Sequence, residues 1–126
     1  GIAAGVAGVA GYLAHDLVDE PPAPEAPVER IDFTGEATVA SAGLINHTWG
    51  TELLLDLTGL EPGTAYDIVF RTANGDVSAG SLLAVEEVLM KCRFNAAPLR
   101  ADVRAIDVRD PEGRTVLAAE LPPVAT

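Results

Sequence analysis

The chain has 126 residues, enough for one domain with an appendage. Its 19 acidic and 8 basic residues give a formal net charge of −11, which opposes binding to phosphate backbones, so we expect no nucleic-acid partner. A single cysteine excludes an intramolecular disulfide and a cysteine-rich zinc site within this sequence, and 5% aromatic residues require a core of Val, Leu, Ile and Ala.

Residues 1–15 contain no Lys, Arg, Asp or Glu and are rich in Gly and Ala. Gly1 and Gly5 show the small-xxx-small spacing of helices that pack closely in lipid. Fourteen helical residues would cover about 21 Å, less than the roughly 30 Å of a hydrocarbon core. Because the chain starts at Gly, we expect the C-terminal part of a transmembrane helix, with Tyr12 at the membrane–water boundary. The alternative is the apolar region of a signal peptide, although no basic segment precedes it.

Residues 16–28 are predicted to be a linker. This segment contains four prolines and four acidic residues, and no Lys or Arg. Proline at this density disfavours helix and sheet and favours an extended chain. Since the cytoplasmic flanks of membrane helices are usually basic, the composition also places the remainder of the chain on the extracytoplasmic side.

Residues 29–122 are predicted to be the folded domain, followed by a tail at 123–126. Apolar and polar residues alternate in five runs, which indicates strands with one buried and one solvated face. The apolar positions are Ile31, Phe33, Ala37 and Val39, then Leu53, Leu55 and Leu57, then Tyr66, Ile68 and Phe70, then Val88, Met90, Cys92 and Phe94, and finally Ile106 and Val108. A less regular run follows at 115–121. Seven or eight strands in about 95 residues predict an all-β fold, an immunoglobulin-like antiparallel β-sandwich.

Three turn signals separate these runs. The segment 60–66, Leu-Glu-Pro-Gly-Thr-Ala-Tyr, predicts a tyrosine corner in which the Tyr66 hydroxyl bonds to upstream backbone. Asn74 and Gly75 predict a two-residue hairpin turn. The segment 110–113, Asp-Pro-Glu-Gly, predicts the turn between the last two strands.

Candidate metal-binding residues are scattered along the sequence. His15 and His47 are the only histidines, and neither has partners at the spacing of a metal site. Cys92 lies in phase with Met90 and Phe94, so we expect a buried, unreactive thiol. We therefore expect no metal ion and no cofactor.

Candidate catalytic residues give no recognisable pattern either. Ser41, Ser78 and Ser81 lie outside a Gly-x-Ser-x-Gly elbow and have no histidine nearby in sequence. Glu86 and Glu87 form a pair of carboxylates that we interpret as a solvated turn between strands. No phosphate-binding glycine loop follows a strand. We expect no catalytic residues and no enzymatic activity.

Trp49 is the only tryptophan. We favour a structural role as a plug or cap of the sandwich core. The alternative is an exposed anchor for a partner.

Several motifs, taken in order, resemble the extracytoplasmic C-terminal domain of actinobacterial membrane-bound anti-sigma factors of the anti-sigma-K type. The likeness covers about 29–121. It is carried by Thr48-Trp49-Gly50-Thr51-Glu52, Gly59-Leu60-x-Pro62-Gly63-Thr64-x-Tyr66, Ala79-Gly80-Ser81, Cys92-Arg93-Phe94-Asn95 and Ile106-x-Val108-x-Asp110-x-x-Gly113-x-x-Val116-Leu117. The preceding order of apolar segment and Pro/acid linker also fits that family.

The resemblance implies a non-catalytic sensor or shielding domain of a single-pass membrane protein, on the extracytoplasmic side of the cell membrane. In that family a cytoplasmic N-terminal domain, often with a His-x-x-x-Cys-x-x-Cys zinc signature, holds an extracytoplasmic-function sigma factor. A membrane-associated protease can release that factor. The signature is absent here, so the sigma factor would be a partner only through a cytoplasmic domain that this sequence lacks.

The alternative function is a generic adhesion or spacer module of a cell-surface protein, because the corner at 60–66 is similar to that of fibronectin type III domains. In that family about two strands follow the tyrosine, whereas about 55 residues follow Tyr66, enough for four. A third alternative, a secreted carbohydrate-binding domain, has less support, because such a domain needs several exposed aromatic side chains on one face.

Overall fold

The computed structural model describes residues 27–124. The expected membrane helix at 1–15, the linker up to residue 26 and the tail residues 125–126 lie outside the described residues. The described part contains nine strands and one 3₁₀ turn, Arg100–Asp102. The strands are β1 (Glu29–Arg30), β2 (Thr34–Gly35), β3 (Thr38–His47), β4 (Gly50–Thr58), β5 (Ala65–Thr72), β6 (Gly75–Leu83), β7 (Met90–Ala96), β8 (Val103–Arg109) and β9 (Thr115–Glu120).

The strands form two antiparallel sheets. Sheet A has the order β1-β3-β4-β7, and sheet B has the order β2-β9-β8-β5-β6. Three hairpins, β3–β4, β5–β6 and β8–β9, stay within one sheet, and the other connections cross between the sheets. The predicted antiparallel β-sandwich is confirmed.

The core lies between the two sheets and is formed by the alternating apolar positions. Leu53, Leu55 and Leu57 of β4 are completely buried, as are Ile68 and Phe70 of β5. Ile106 and Val108 of β8 complete this set from sheet B. One continuous apolar cluster joins both sheets, and its burial is the main driving force for folding.

The first predicted strand run is wrong in detail, because residues 29–39 divide between both sheets. β1 pairs with β3 in sheet A, then β2 crosses to sheet B and pairs with β9. Gly35 permits this crossing: it has φ +144°, and a Cβ there would lie 2.1 Å from the Val116 carbonyl oxygen. The two short strands raise the number from the expected seven or eight to nine.

Val88 was expected on the buried face of a strand, and this expectation is also wrong. β7 begins only at Met90, and Val88 is 52% exposed in the β6–β7 connection. Glu87 adopts a left-handed conformation with φ 60°, which breaks the extended chain just before Val88.

The predicted turns are present. The Glu61 backbone N–H donates to the Tyr66 hydroxyl across 3.1 Å, which confirms the tyrosine corner. The hairpin at 73–75 is confirmed with a shift of one residue, since Ala73 and Asn74 form the turn and Gly75 begins β6. The segment 110–114 joins β8 to β9, and the Gly113 N–H donates to the Asp110 carbonyl across 2.9 Å.

The sandwich has two ends that differ in what meets there. The near end comprises the connections 48–49, 73–74 and 97–102, together with the described chain ends at 27–28 and 121–124. The far end comprises the connections 36–37, 59–64, 84–89 and 110–114. The described chain therefore enters and leaves at the near end.

Candidate functional site

The residues that the sequence singled out for chemistry do not converge. Within 27–124, no group of three His, Cys, Asp or Glu side chains is placed to hold a metal ion. In the same range, no helix is long and apolar enough to cross a membrane. Glu86 and Glu87 are exposed in the β6–β7 connection, as expected of a solvated turn.

Cys92 is half-buried on the core side of β7, next to the apolar cluster. Desolvation raises the pKa of its thiol, and the Asp56 carboxylate raises it further. Both effects disfavour the nucleophilic thiolate, which agrees with the expected unreactive thiol.

The β3–β4 turn presents the most exposed aromatic ring of the described chain. Trp49 is 57% exposed, so it does not plug the core, and the exposure that the alternative of a partner anchor requires is present. Its ring stacks on the His47 ring, with centroids 4.3 Å apart and planes inclined by 9°. His47 Nε2 in turn donates to Glu52 Oε1 across 2.8 Å. The His47 ring therefore holds the Trp49 ring in place, while Trp49 stays exposed to solvent.

The turn that carries Trp49 is fastened to the β7–β8 connection. Gly50 has φ +155°, and a Cβ there would lie 2.3 Å from the Ala96 carbonyl oxygen, so the two backbones touch. The fully buried Thr51 donates its hydroxyl to the Pro98 carbonyl across 2.8 Å. Leu99 follows in the same connection and is 45% exposed. The near end thus displays two exposed apolar side chains, Trp49 and Leu99, on connections that are fastened to each other.

Arg100 forms a buried clasp beneath this surface. It is 3% exposed, and its guanidinium donates to both carboxylate oxygens of Glu29, at 2.6 and 2.8 Å. It also donates to the Pro122 carbonyl across 2.8 Å. The hydrogen bonds from Arg100 lower the pKa of Glu29 below its ordinary value, more strongly than partial burial raises it. The clasp joins the first strand, the 3₁₀ turn and the C-terminal segment.

The far end holds an acidic cleft of about 590 Å³ beside the tyrosine corner. Glu36 and Arg114 form an ion pair at its rim, and the hydrogen bond from Arg114 lowers the pKa of Glu36. Glu61, Asp110 and Glu112 also line the cleft. Because both members of the rim pair are more than half exposed, solvent screens their attraction.

An ionic network covers the outer face of sheet B. The buried Asp107 carboxylate accepts a hydrogen bond from Arg109 across 2.8 Å and lies 3.3 Å from Arg71 Nε. Arg109 also pairs with Asp76, and Arg71 with Glu120. Arg71 and Arg109 are therefore each engaged by two carboxylates.

Charge separates the two ends most clearly. In the near-end connections, Asp102 is the one exposed charged residue, since Arg100 is buried and paired. The far-end connections carry six acidic residues and one basic residue, namely Glu36, Glu61, Glu86, Glu87, Asp110, Glu112 and Arg114. Exposed Asp76 and Glu120 flank these connections on the ends of β6 and β9, so the near end is the less charged of the two ends and the better candidate for a contact surface.

No family model, curated protein or solved structure matches this chain. The candidate surface therefore rests on the chain's own geometry. The sequence contained one usable signal for it, the lone Trp49 between two strand runs. It contained no signal for the Glu29–Arg100 pair, whose members lie 71 positions apart.

Proposed function

We propose that this chain belongs to a single-pass membrane anti-sigma factor and forms its non-catalytic extracytoplasmic sensor or shielding domain. The ordered motifs that resemble that family lie in the sandwich, and the predicted membrane segment and linker precede it. The observation that carries the proposal is the fastening of the first folded residues. Glu29, which directly follows the predicted linker, is clamped by the buried Arg100.

A shield works only if a stable body begins close to the segment that it protects. β1 pairs with Leu44 and Gly43 of β3, and Val28 packs where a side chain at Gly43 would lie. The folded domain therefore begins at Val28, directly after Pro27. A proline-rich segment beside such a body is open to a protease only where the bulk of the domain leaves room.

The same fastening gives the domain a route by which its state can reach the linker. If a signal opens the clasp, β1 keeps two pairings on β3, and the next anchor along the chain is the buried Ile31, whose N–H donates to the Ala42 carbonyl across 3.2 Å. Dissociation of β1 from β3 would add Glu29 and Arg30 to the segment that a protease can reach. We propose that cleavage in this region, and thus release of the sigma factor, increases when the clasp is weakened.

The test uses the protein with its upstream cytoplasmic domain in cells. Deletion of 29–124 should raise cleavage near the membrane and sigma-dependent transcription, and Glu29→Ala should raise both to a smaller extent. Glu36→Ala is the matched control, because it removes an exposed partner of an arginine at the far end. If the deletion leaves both cleavage and transcription unchanged, the shielding function is rejected.

The tyrosine corner favours a second function, an adhesion or spacer module similar to fibronectin type III domains. Four strands, β6 to β9, follow the strand that contains Tyr66, instead of about two. If deletion of 29–124 impairs adhesion of the cells without changing sigma-dependent transcription, this second function is supported.

A further inference from the structure

We infer that the near end of the sandwich is a lipid-facing surface, with Trp49 as its anchor at the membrane–water boundary. This inference rests on the proposed membrane tether and adds the orientation of the domain. The partner is the polar–apolar boundary of a bilayer, and the contact is made by the turns at 48–49 and 97–99.

The exposed side chains fit that boundary. Trp49 combines a large apolar ring with one N–H donor, which is why tryptophan is enriched at membrane interfaces. The stack on His47 and the His47–Glu52 hydrogen bond already restrict the ring, so little conformational freedom remains to be lost on contact. Leu99 adds a second exposed apolar side chain on the connection to which the Trp49 turn is fastened.

The distribution of charge points to the same end. Bringing a charged group close to hydrocarbon is costly, because the group loses hydration. The near-end connections expose Asp102, and Asp76 and Glu120 are exposed on the flanking strand ends. The far-end connections expose more carboxylates, namely Glu36, Glu61, Glu86, Glu87 and Glu112. The far end also has exposed apolar side chains, at Val85, Val88 and Leu89, but Glu86 and Glu87 lie among them. The near end is therefore the end that approaches lipid at lower cost.

The course of the chain brings this end close to the bilayer. Pro27 lies at the near end, in a cleft lined also by Asn46, Arg100 and Val124. Residues 16–26, between the apolar segment and Pro27, can span at most about 40 Å even when fully extended. The tether therefore keeps the near end, at which it arrives, within this distance of the membrane.

The single tryptophan makes the test site-specific. The full 126-residue chain is reconstituted with phosphatidylcholine vesicles, which are zwitterionic and do not repel an acidic domain. Fluorescence of Trp49 is then measured with brominated acyl chains in the lipid and with acrylamide in the water. A control variant, Trp49→Phe with Val88→Trp, moves the only tryptophan to the exposed far-end connection. Circular dichroism verifies that the control keeps its strand content.

We expect vesicles to shift Trp49 emission to shorter wavelength. Brominated lipid should remove most of its intensity, and acrylamide should remove little. The tryptophan at 88 should show the opposite pattern.

If the chain floats with vesicles but Trp49 is quenched like the tryptophan at 88, the lipid-facing surface is rejected and the membrane tether is retained. If the chain does not float, both are rejected. Shielding of Trp49 without vesicles would identify a second copy as the occupant and also reject the inference.

Discussion

The near and far ends of the sandwich are both closed by connecting segments, but different interactions stabilise them. At the near end a buried arginine, Arg100, ties Glu29 and the Pro122 carbonyl together. At the far end the pair Glu36–Arg114 is exposed to solvent. There the Tyr66 hydroxyl accepts a hydrogen bond from the Glu61 N–H and so fixes the connection 59–64. What separates the two pairs is the burial of the arginine: Arg100 is 3% exposed, whereas Arg114 is 58% exposed, and exposed pairs contribute little to stability.

The largest expected effect is the loss of the near-end clasp. Glu29→Ala should lower the free energy of unfolding by about 3 kcal/mol, since it leaves the buried Arg100 charge without its partner. We place the value at the low end of the range for buried pairs because Glu29 is itself about one-third exposed. Urea unfolding followed by circular dichroism measures it.

The matched far-end variant sharpens the comparison. Glu36→Ala should cost much less than Glu29→Ala, because both members of its pair are exposed and solvent screens their attraction. Equal costs for the two variants would show that burial does not separate the two ends.

The next effect concerns two glycines with positive φ. Gly50→Ala should cost about 2 kcal/mol, because its Cβ would meet the Ala96 carbonyl oxygen at 2.3 Å in addition to the backbone strain. Gly63→Ala at the far end, with φ +83° and no neighbouring atom within 4 Å, should cost about 1 kcal/mol from strain alone. Thermal unfolding of both variants compares them, and a larger loss for Gly63→Ala would contradict the close contact at the near end.

The third effect is the loss of one hydrogen bond at each end. Tyr66→Phe removes the acceptor of the Glu61 N–H and should cost about 1 kcal/mol. Thr51→Val removes the buried donor to the Pro98 carbonyl and should cost a similar amount. Chemical unfolding of the two variants measures both. A negligible cost for Tyr66→Phe would mean that the far end is fastened by packing alone.

The smallest effect is the dependence of stability on acid. Because the folded state lowers the pKa of Glu29, the unfolded state binds more protons between the folded pKa and the unfolded value near 4.5. The contribution of the clasp is thus present above pH 4.5 and is lost as the pH falls through the folded pKa. Glu29→Gln should flatten this acid limb in pH-dependent urea unfolding. An unchanged limb would assign the acid sensitivity to other carboxylates.

The sequence predicted the parts of the fold that depend on local pattern. Alternation placed Leu53, Leu55 and Leu57 in the core, and the turn residues located the corner at Tyr66 and the hairpin near Asn74. These features need only neighbouring residues, so a period of two and a Pro or Gly at the right position suffice to predict them.

The sequence did not predict features that depend on distant partners. The crossing at Gly35 depends on its contact with the Val116 backbone, 81 positions away. The ion pair of Arg100 with Glu29 has no local pattern at all. Trp49 was interpreted as a plug or cap of the core, although it lies in a two-residue turn whose geometry follows from the pairing of β3 with β4. In each case tertiary contact, and not local preference, decides the outcome.

Hydrogen exchange tests the central claim most directly, that the sandwich stands on a bilayer with its near end toward the lipid. Exchange of the full chain would be followed with and without phosphatidylcholine vesicles. We predict slower exchange in the vesicle sample at 46–50 and 97–101, with exchange at 84–89 unchanged. Slower exchange at 84–89 alone, or no difference at either end, would contradict this orientation.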